Sequence, residues 1–500
     1  MLQDDGRWRF SKEATGFINT ICDTIKKDLN KLRNHYSGKL TIINEQLATA
    51  KTNELIAKHN YCSSIIETVK KCSSKIGNVS FQKSVIFYLQ GLYLNEKIQF
   101  DSVWYYLGFD DGLVDIKTGE FRKYKAEDYM TMSVGYNYSD VLAADTTTLL
   151  KLVSQVHPDE DSRQCWLSIV STAVEGRTLE RFTIFNGKGR NGKGLLNEIL
   201  LLALGKGKSD GYATTLNPAV LCSPIIKDGP NPEVAKLDKM RLVVTSEFPK
   251  GSMLNNAVVK QLTGGSNMEA RFCHSNNTVV NLACTLIAEC NDRPPFREKL
   301  GTAELERLID LYFPCDFTAR NEDEVDPENN KFIPNIEYKT LEFQNEQKLA
   351  MMKILLDTYP TFKGRVYIPE SVVQRNLRYA IFSHPVFNWF DENYTLVENP
   401  GPLDFVTIAT VFEEVRATDV YSNLSVIDKR LFTKPKITEL FKTSVLYSKY
   451  FATRYQPRIK TGKINARNVL KGFVKLNDNE EPIRQYTDAN TIDPTLEDGN

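Results

Sequence analysis

No C-x-x-C pair occurs among the nine cysteines, and the five histidines are scattered through the 500 residues. An odd cysteine count without paired spacing excludes a disulfide framework and a thiolate zinc site. No apolar run reaches the length that spans a bilayer, and the N-terminus lacks a signal-peptide pattern. An intracellular protein with no membrane association is therefore expected. Net charge is also missing, because 63 Lys and Arg balance 63 Asp and Glu. Total charge thus says nothing for or against a nucleic-acid partner.

The length is too great for one ordinary core, and 41% hydrophobic with 25% charged residues is the balance of a globular protein of several domains. Charge is uneven along the chain. From Asp428 to Lys475, thirteen Lys and Arg stand against two acids, Asp428 and Glu439. The stretch NEDEVDPENN (321–330) and the end of the chain around Asp488, Asp493, Glu497 and Asp498 are acidic. A local anionic partner for the basic region and a disordered acidic tail are expected.

Periodicity separates the segments. Phe17, Ile21, Ile25, Leu29 and Leu32 recur at helical steps, so residues 16–76 are expected to be helical. LGFDDGLVDIKTGEFRKY has the turn residues of hairpins. Between 180 and 317, apolar runs at Phe182–Phe185, Leu242–Thr245 and Val279–Ala288 alternate with helical or loop segments, the signature of an α/β nucleotide-binding sheet.

Within that sheet, RFTIF leads into NGKGRNGKG and then LLNEILLLALG. A G-x-x-x-x-G-K loop between strand and helix turns backbone N–H groups toward phosphate oxygens. Gly187, Lys188, Gly189, Arg190, Asn191, Gly192, Lys193 and Gly194 are the candidate nucleotide-binding residues. Lys193, read as a surface-accessible charge, would reach the β- and γ-phosphates. RLVVTSEF ends in Glu247, an acid that could orient water or anchor a magnesium shell through water. Asn291, at the end of VVNLACTLIAECN, is either an ordinary turn former or a residue that senses the γ-phosphate or positions water. Arg307 is either a solvated helix residue or a source of transition-state charge across a subunit boundary.

The ordered set GKGRNGKG, RLVVTSE, VVKQLTGGSNMEARF, CNDRPP and an arginine before IDLYFPCDF resembles superfamily 3 helicases of the D5-like primase-helicase family. That family includes poxvirus D5 and phage P4 types and members in nucleocytoplasmic large DNA viruses such as asfarviruses. LGFDDGLVDIKTGEFRKYKAEDYMTMSVGYNY is similar to its N-terminal signature, and YIPESV (367–372) to its post-core segment. The resemblance implies an α/β P-loop NTPase core of AAA+ type (151–320), preceded by an α-helical collar domain (1–150). A post-core linker with helices (321–380), a small basic C-terminal domain, mainly helical or winged-helix-like (381–476), and the tail (477–500) would follow.

The same resemblance implies a homo-hexamer that hydrolyses ATP with Mg2+ between subunits, Asn291 acting as sensor and Arg307 acting from the neighbour. It implies single-stranded and forked DNA as partners, together with other viral replication proteins. An upstream primase module would make this chain a C-terminal fragment working at a cytoplasmic viral replication site. It also implies a DNA hairpin over Cys273–Thr278, with His274 at its tip and Asn276 beside it. Lys260 and Arg271 are candidates for nucleotide or DNA.

In the basic region, Lys434, Lys436, Arg458 and Lys460 are candidates for phosphate contact, whereas its aromatics read as core. Three positions depart from the family pattern. Gly194 stands where a metal-binding Ser or Thr is usual, Ser266 where an Asp is usual, and Asp111 where an Asn is usual. An ATP-driven helicase is expected; a protein-remodelling ATPase and a DNA-binding ring scaffold with weak hydrolysis are the alternatives.

Overall fold

The computed structural model describes residues 5–9, 15–93, 97–225, 230–265, 268–272, 278–298, 300–382, 385–397, 399–422, 429, 432–443, 455–461, 464–477 and 482. They divide into two units, residues 1–102 with 122–131, and residues 103–121 with 132–500.

The first unit is built on helices α1 (Thr15–Thr49), α2 (Asn53–Ile76) and α3 (Val79–Tyr93). The helical pattern breaks at Thr52, whose hydroxyl accepts from the Leu55 N–H and starts α2 as an N-cap. Helix α1 packs along α2, and α2 against α3.

The second unit is organised by a five-stranded sheet. Its strands are β1 (Phe182–Asn186), β2 (Ala213–Thr215), β3 (Leu242–Thr245), β4 (Thr285–Cys290) and β5 (Leu308–Tyr312). They lie in the order β5-β1-β4-β3-β2, and every neighbouring pair is parallel. Parallel strands need crossovers, and those crossovers bury both faces.

The period of two divides the sheet's side chains between two cores. Phe185, Val244, Ile287, Ile309 and Leu311 share one with Leu196, Ile199 and Leu200 of helix α4 (Lys193–Ala203). Phe182, Ile184, Val243, Leu286 and Leu308 share the other with Val258, Val259 and Leu262 of helix α5 (Asn256–Thr263). The expected α/β architecture is present in this core as a parallel sheet covered on both faces.

One expectation needs correction. The apolar run Val279–Ala288 is not one strand. Thr278–Val280 pairs antiparallel with Met268–Ala270, and β4 begins only at Thr285. Between them the Asn281 N–H donates to the Asp238 carboxylate, which pulls the chain off its first ladder. The Thr285 N–H then bonds to the Arg241 carbonyl as the chain enters the core sheet.

After β5, helix α6 (Leu341–Phe362) packs over α4, and helix α7 (Glu370–Phe382) packs on β5. The basic region carries helices and a sheet. Phe405–Thr407, Tyr455–Thr461 and Ile464–Lys471 form three antiparallel strands beside a core that holds Phe441. Phe441 is thus core, as the sequence suggests; Tyr447, Tyr450 and Phe451 lie outside the described residues. No helix among the described residues is long and apolar enough to cross a membrane.

A buried histidine beside the sheet sets an acid sensitivity. The His157 ring is 4.4 Å from that of Phe313, and neither ring nitrogen has a hydrogen-bond partner among the described residues. Burial, helped by the nearby Arg163 and opposed by Asp159, pushes its pKa down from 6.5 to about 3. The unfolded chain therefore takes up this proton first. The contribution to stability is complete above about pH 6.5 and is lost as pH falls toward 3, at about 1.4 kcal/mol per pH unit within that window. His157→Phe is expected to flatten this acid limb. Denaturant titrations at pH 7 and pH 5 check it; identical acid losses in the two proteins contradict it.

Candidate functional site

Strand β1 is buried throughout and ends at Asn186, so the chain leaves the sheet at its carboxyl edge directly into the glycine-rich loop. A Cβ on Gly187 would stand 2.3 Å from Asn191 Nδ2 and 2.6 Å from the Phe313 carbonyl oxygen. Gly192 has φ of +84°, and a Cβ there would stand 2.6 Å from Val156 Cγ2. Side chains at these two positions would force the loop open. None of the N–H groups of residues 188–192 is used in a hydrogen bond among the described residues. Helix α4 follows with no side-chain cap. Free donors and the positive end of an eleven-residue helix therefore converge on one place, the requirement for holding an anion.

Lys193 is the centre of this arrangement. It is only 2% exposed, which corrects the expectation of a surface-accessible charge. Its ammonium donates to the Gly187 carbonyl at 2.8 Å, to Asn191 Oδ1 at 3.0 Å and to Asn291 Oδ1 at 3.2 Å. Burial lowers its pKa, against the opposing influence of Glu289 and Cys290. Asn191 in turn donates to the Phe313 carbonyl at 3.3 Å, tying the loop to the chain beyond β5. Lys193 and Asn291, 98 positions apart in sequence, are thus brought together.

Beside the loop lies an open cleft of about 820 Å³, lined in part by Gly194, Ser246, Glu247, Glu289, Asn291 and Arg293. Glu247 stands exposed at the end of β3 with φ of +60°. That backbone region costs a non-glycine residue of order 1 kcal/mol and often accompanies a functional demand. Lys188, Gly189 and Arg190 are exposed on the loop. A side chain on Gly189 would find only Asn291 Nδ2, 3.9 Å away.

Arg307 is not brought to this cleft. It closes the helix Thr302–Arg307, immediately before Leu308, which pairs with Phe182 at the first residue of β1. The loop leaves the far end of that strand, roughly 15 Å away at the rise of an extended chain. This exceeds the reach of an arginine side chain. Its Nη1 makes a long contact of 3.4 Å to the Ala303 carbonyl, and its Nε has no partner among the described residues. Lys260, in the last turn of α5, borders the same small crevice as Arg307, away from the cleft. The Arg271 carbonyl accepts from the Asn231 N–H. His274, Asn276 and Ser266 lie outside the described residues.

In the basic region Arg458 and Lys460 are exposed, and Arg458 stands directly across the strands from Arg467, also exposed. Like charges directly opposed in a ladder are unfavourable unless an anion sits over them. Lys436 is exposed, whereas Lys434 pairs with Glu413 at 2.7 Å.

Nothing in the sequence singles out four further residues. Asp310 on β5 is fully buried and accepts from two guanidinium groups, Arg293 at 2.8 Å and Arg375 of α7 at 3.1 Å. Arg375 also donates to Asn186 Oδ1 at 3.1 Å, at the end of β1. Two cations share one carboxylate, and of the three residues Arg293 is the one that lines the cleft. The fourth residue is Glu289, which accepts from Asn197 Nδ2 at 2.8 Å on the α4 face of the sheet.

Residues 2–174 match the family described as D5 N terminal like. The chain is 23% identical over 376 residues to a protein of Invertebrate iridescent virus 3 that is named a helicase, covering 71% of this chain and 39% of that protein. It is 25% identical over 323 residues to Primase D5 of Fowlpox virus, covering 57% of this chain and 39% of that protein. The chain therefore spans 39% of the length of these two relatives. Among solved structures, the apo C-terminal region of NrS-1 aligns over 79% of this chain and 90% of its own, at 12% identity and a TM-score of 0.39.

Proposed function

We propose that this chain, a relative of the D5-like helicases and primases of large DNA viruses, is the motor part of an ATP-driven DNA helicase of superfamily 3 that works as a homo-hexameric ring. The observation that carries this is the Lys193 ammonium, fixed between the loop and Asn291 beneath a row of unused N–H donors. Such a loop suits the β- and γ-phosphates of a nucleoside triphosphate.

Residues present fit ATP and Mg2+. Open space lies beside Gly189 and Gly194, and the cleft next to Gly194 is lined in part by oxygen-bearing side chains. Glu247, Glu289 and Ser246 are the oxygen donors that would hold Mg2+ or its water shell, and the ion would supply neutralisation of phosphate charge. Glu247 would orient the attacking water from the end of β3. Asn291, already bonded to Lys193, would report the presence of a γ-phosphate to β4. Arg293 would add positive charge at the cleft wall. Arg307, too far from its own loop, would act on the nucleotide of the neighbouring subunit.

Motion of these strands would be passed to DNA in the ring's channel. Arg458, Lys460 and Arg467 supply an exposed basic face for a phosphate backbone, with the salt dependence that such contacts bring.

A forked DNA duplex with a labelled strand tests the proposal. ATP and Mg2+ should drive strand separation, and a non-hydrolysable analogue should not. One observation favours a second reading: Gly194 removes a metal-binding hydroxyl, as a ring scaffold with weak hydrolysis could tolerate. Fork binding with no strand separation at any Mg2+ concentration selects that scaffold.

A further inference from the structure

We infer that Glu289 replaces the missing loop hydroxyl as the protein's direct ligand for the divalent cation of the bound nucleotide. This rests on the reading of the cleft as an ATP site and identifies how that site holds its metal.

Phosphate-binding loops of this spacing usually hold Mg2+ with two groups, the Ser or Thr after the lysine and an acid closing the neighbouring strand. Here the first position is Gly194. At the end of β3 the first residue is Ser246, and the acid comes one residue later as the exposed Glu247. Strand periodicity sends Val244 and Ile287 to the face covered by α4, and the next residues in phase are Ser246 and Glu289. Thr245 pairs with Ala288, so Ser246 and Glu289 follow side by side in the register.

The contacts of Glu289 fix its orientation. Asn197, 3% exposed on the first turns of α4, holds Oε2 at 2.8 Å. The other oxygen, Oε1, lies 3.5 Å from the point where a side chain on Gly194 would begin. The carboxylate therefore stands against the gap left by the absent hydroxyl. No ion pair to Glu289 exists among the described residues, and its bonded partner is a neutral amide. The Lys193 ammonium, whose charge also acts on Glu289, makes its hydrogen bonds to three other oxygens.

A carboxylate bonded only to a neutral amide would repel a triphosphate beside it. A divalent cation between them turns that repulsion into attraction. Mg2+ needs only one or two protein carboxylates, taking phosphate oxygens and water for the rest. The glycine and the glutamate thus form one device, in which removal of the side chain at 194 opens the path for a longer acidic ligand from β4.

The test compares binding of a fluorescent ATP analogue in Mg2+ and in EDTA, for the wild-type chain, Glu289→Gln, Gly194→Ser and the double variant. Wild type should bind more tightly with Mg2+. Glu289→Gln should shrink that advantage by on the order of 10-fold or more, the scale of metal-site perturbations, while its affinity in EDTA holds or rises because repulsion is removed. The electron paramagnetic resonance signal of Mn2+ on the nucleotide complex should change in the same variant. Gly194→Ser in the Glu289→Gln background should recover part of the Mg2+ advantage, since the position has room for a side chain and regains a hydroxyl.

An unchanged Mg2+ advantage and Mn2+ spectrum in Glu289→Gln overturn the assignment, even if hydrolysis is lost, because the residue would then serve as a base. Failure of wild type to bind the analogue in either condition overturns the ATP site itself. Binding in EDTA with no Mg2+ advantage in wild type overturns the metal ligand alone.

Discussion

Lys193→Ala is expected to lose ATP turnover by at least about 10²–10³, the scale of removing a preorganised charge from a transition state. The effect is larger than the loss of one phosphate contact. The ammonium also gathers the Gly187 carbonyl, Asn191 and Asn291 into one cluster that its removal breaks up beneath the loop. Of the three, the Asn191 oxygen keeps the Lys193 backbone N–H, so two groups lose their partner, at about 1–3 kcal/mol each, partly offset because a desolvated charge is no longer buried. A modest fall in melting temperature should accompany the loss, with oligomers intact by light scattering. Lys193→Met keeps the packing and should lose turnover equally. Wild-type turnover in either variant would remove the loop from the account.

Arg307→Ala is expected to bind ATP normally yet hydrolyse it about 10³–10⁵ times more slowly, the range for arginines that stabilise a transferring phosphoryl group. Its distance from its own loop makes the effect a property of the assembly. Doped into wild-type rings, the variant should depress activity more than its fraction. Mixing at fixed total protein with steady-state turnover as readout checks this. A strictly proportional loss shows that Arg307 does not act across an interface.

Both expectations combine features that local sequence carries with features it cannot. Glycine–lysine spacing between an apolar strand and a Leu-rich helix marks the loop because backbone turns and helix starts are short-range events. The strands β1 and β3 are legible for the same reason. The run from Val279 to Ala288 misleads because nothing within it records the Asp238 carboxylate that interrupts it. The burial of Lys193 depends on Asn291, and on Asn191 reaching the chain after β5. Glu289 is one acid in an otherwise apolar stretch, and only the pairing of β4 between β1 and β3 makes it a neighbour of Gly194. Asp310 with Arg293 and Arg375 is hidden in the same way, since its members come from three separate elements.

Strand order also decides what Arg307 can do. As a helix-end residue it has no distinguishing mark. As the residue before an edge strand parallel to β1, it is held at the opposite end of the sheet from its own loop. Its Nε is buried without a partner among the described residues, and in the proposed ring its guanidinium would serve a neighbouring subunit.

The most direct test of a nucleotide-driven DNA motor is steady-state ATP turnover by the wild-type chain in Mg2+, with and without single-stranded DNA. Turnover that requires Mg2+, rises on adding the DNA and disappears in Lys193→Ala is the expected result. No turnover under any condition, or a rate that the DNA leaves unchanged, would contradict it.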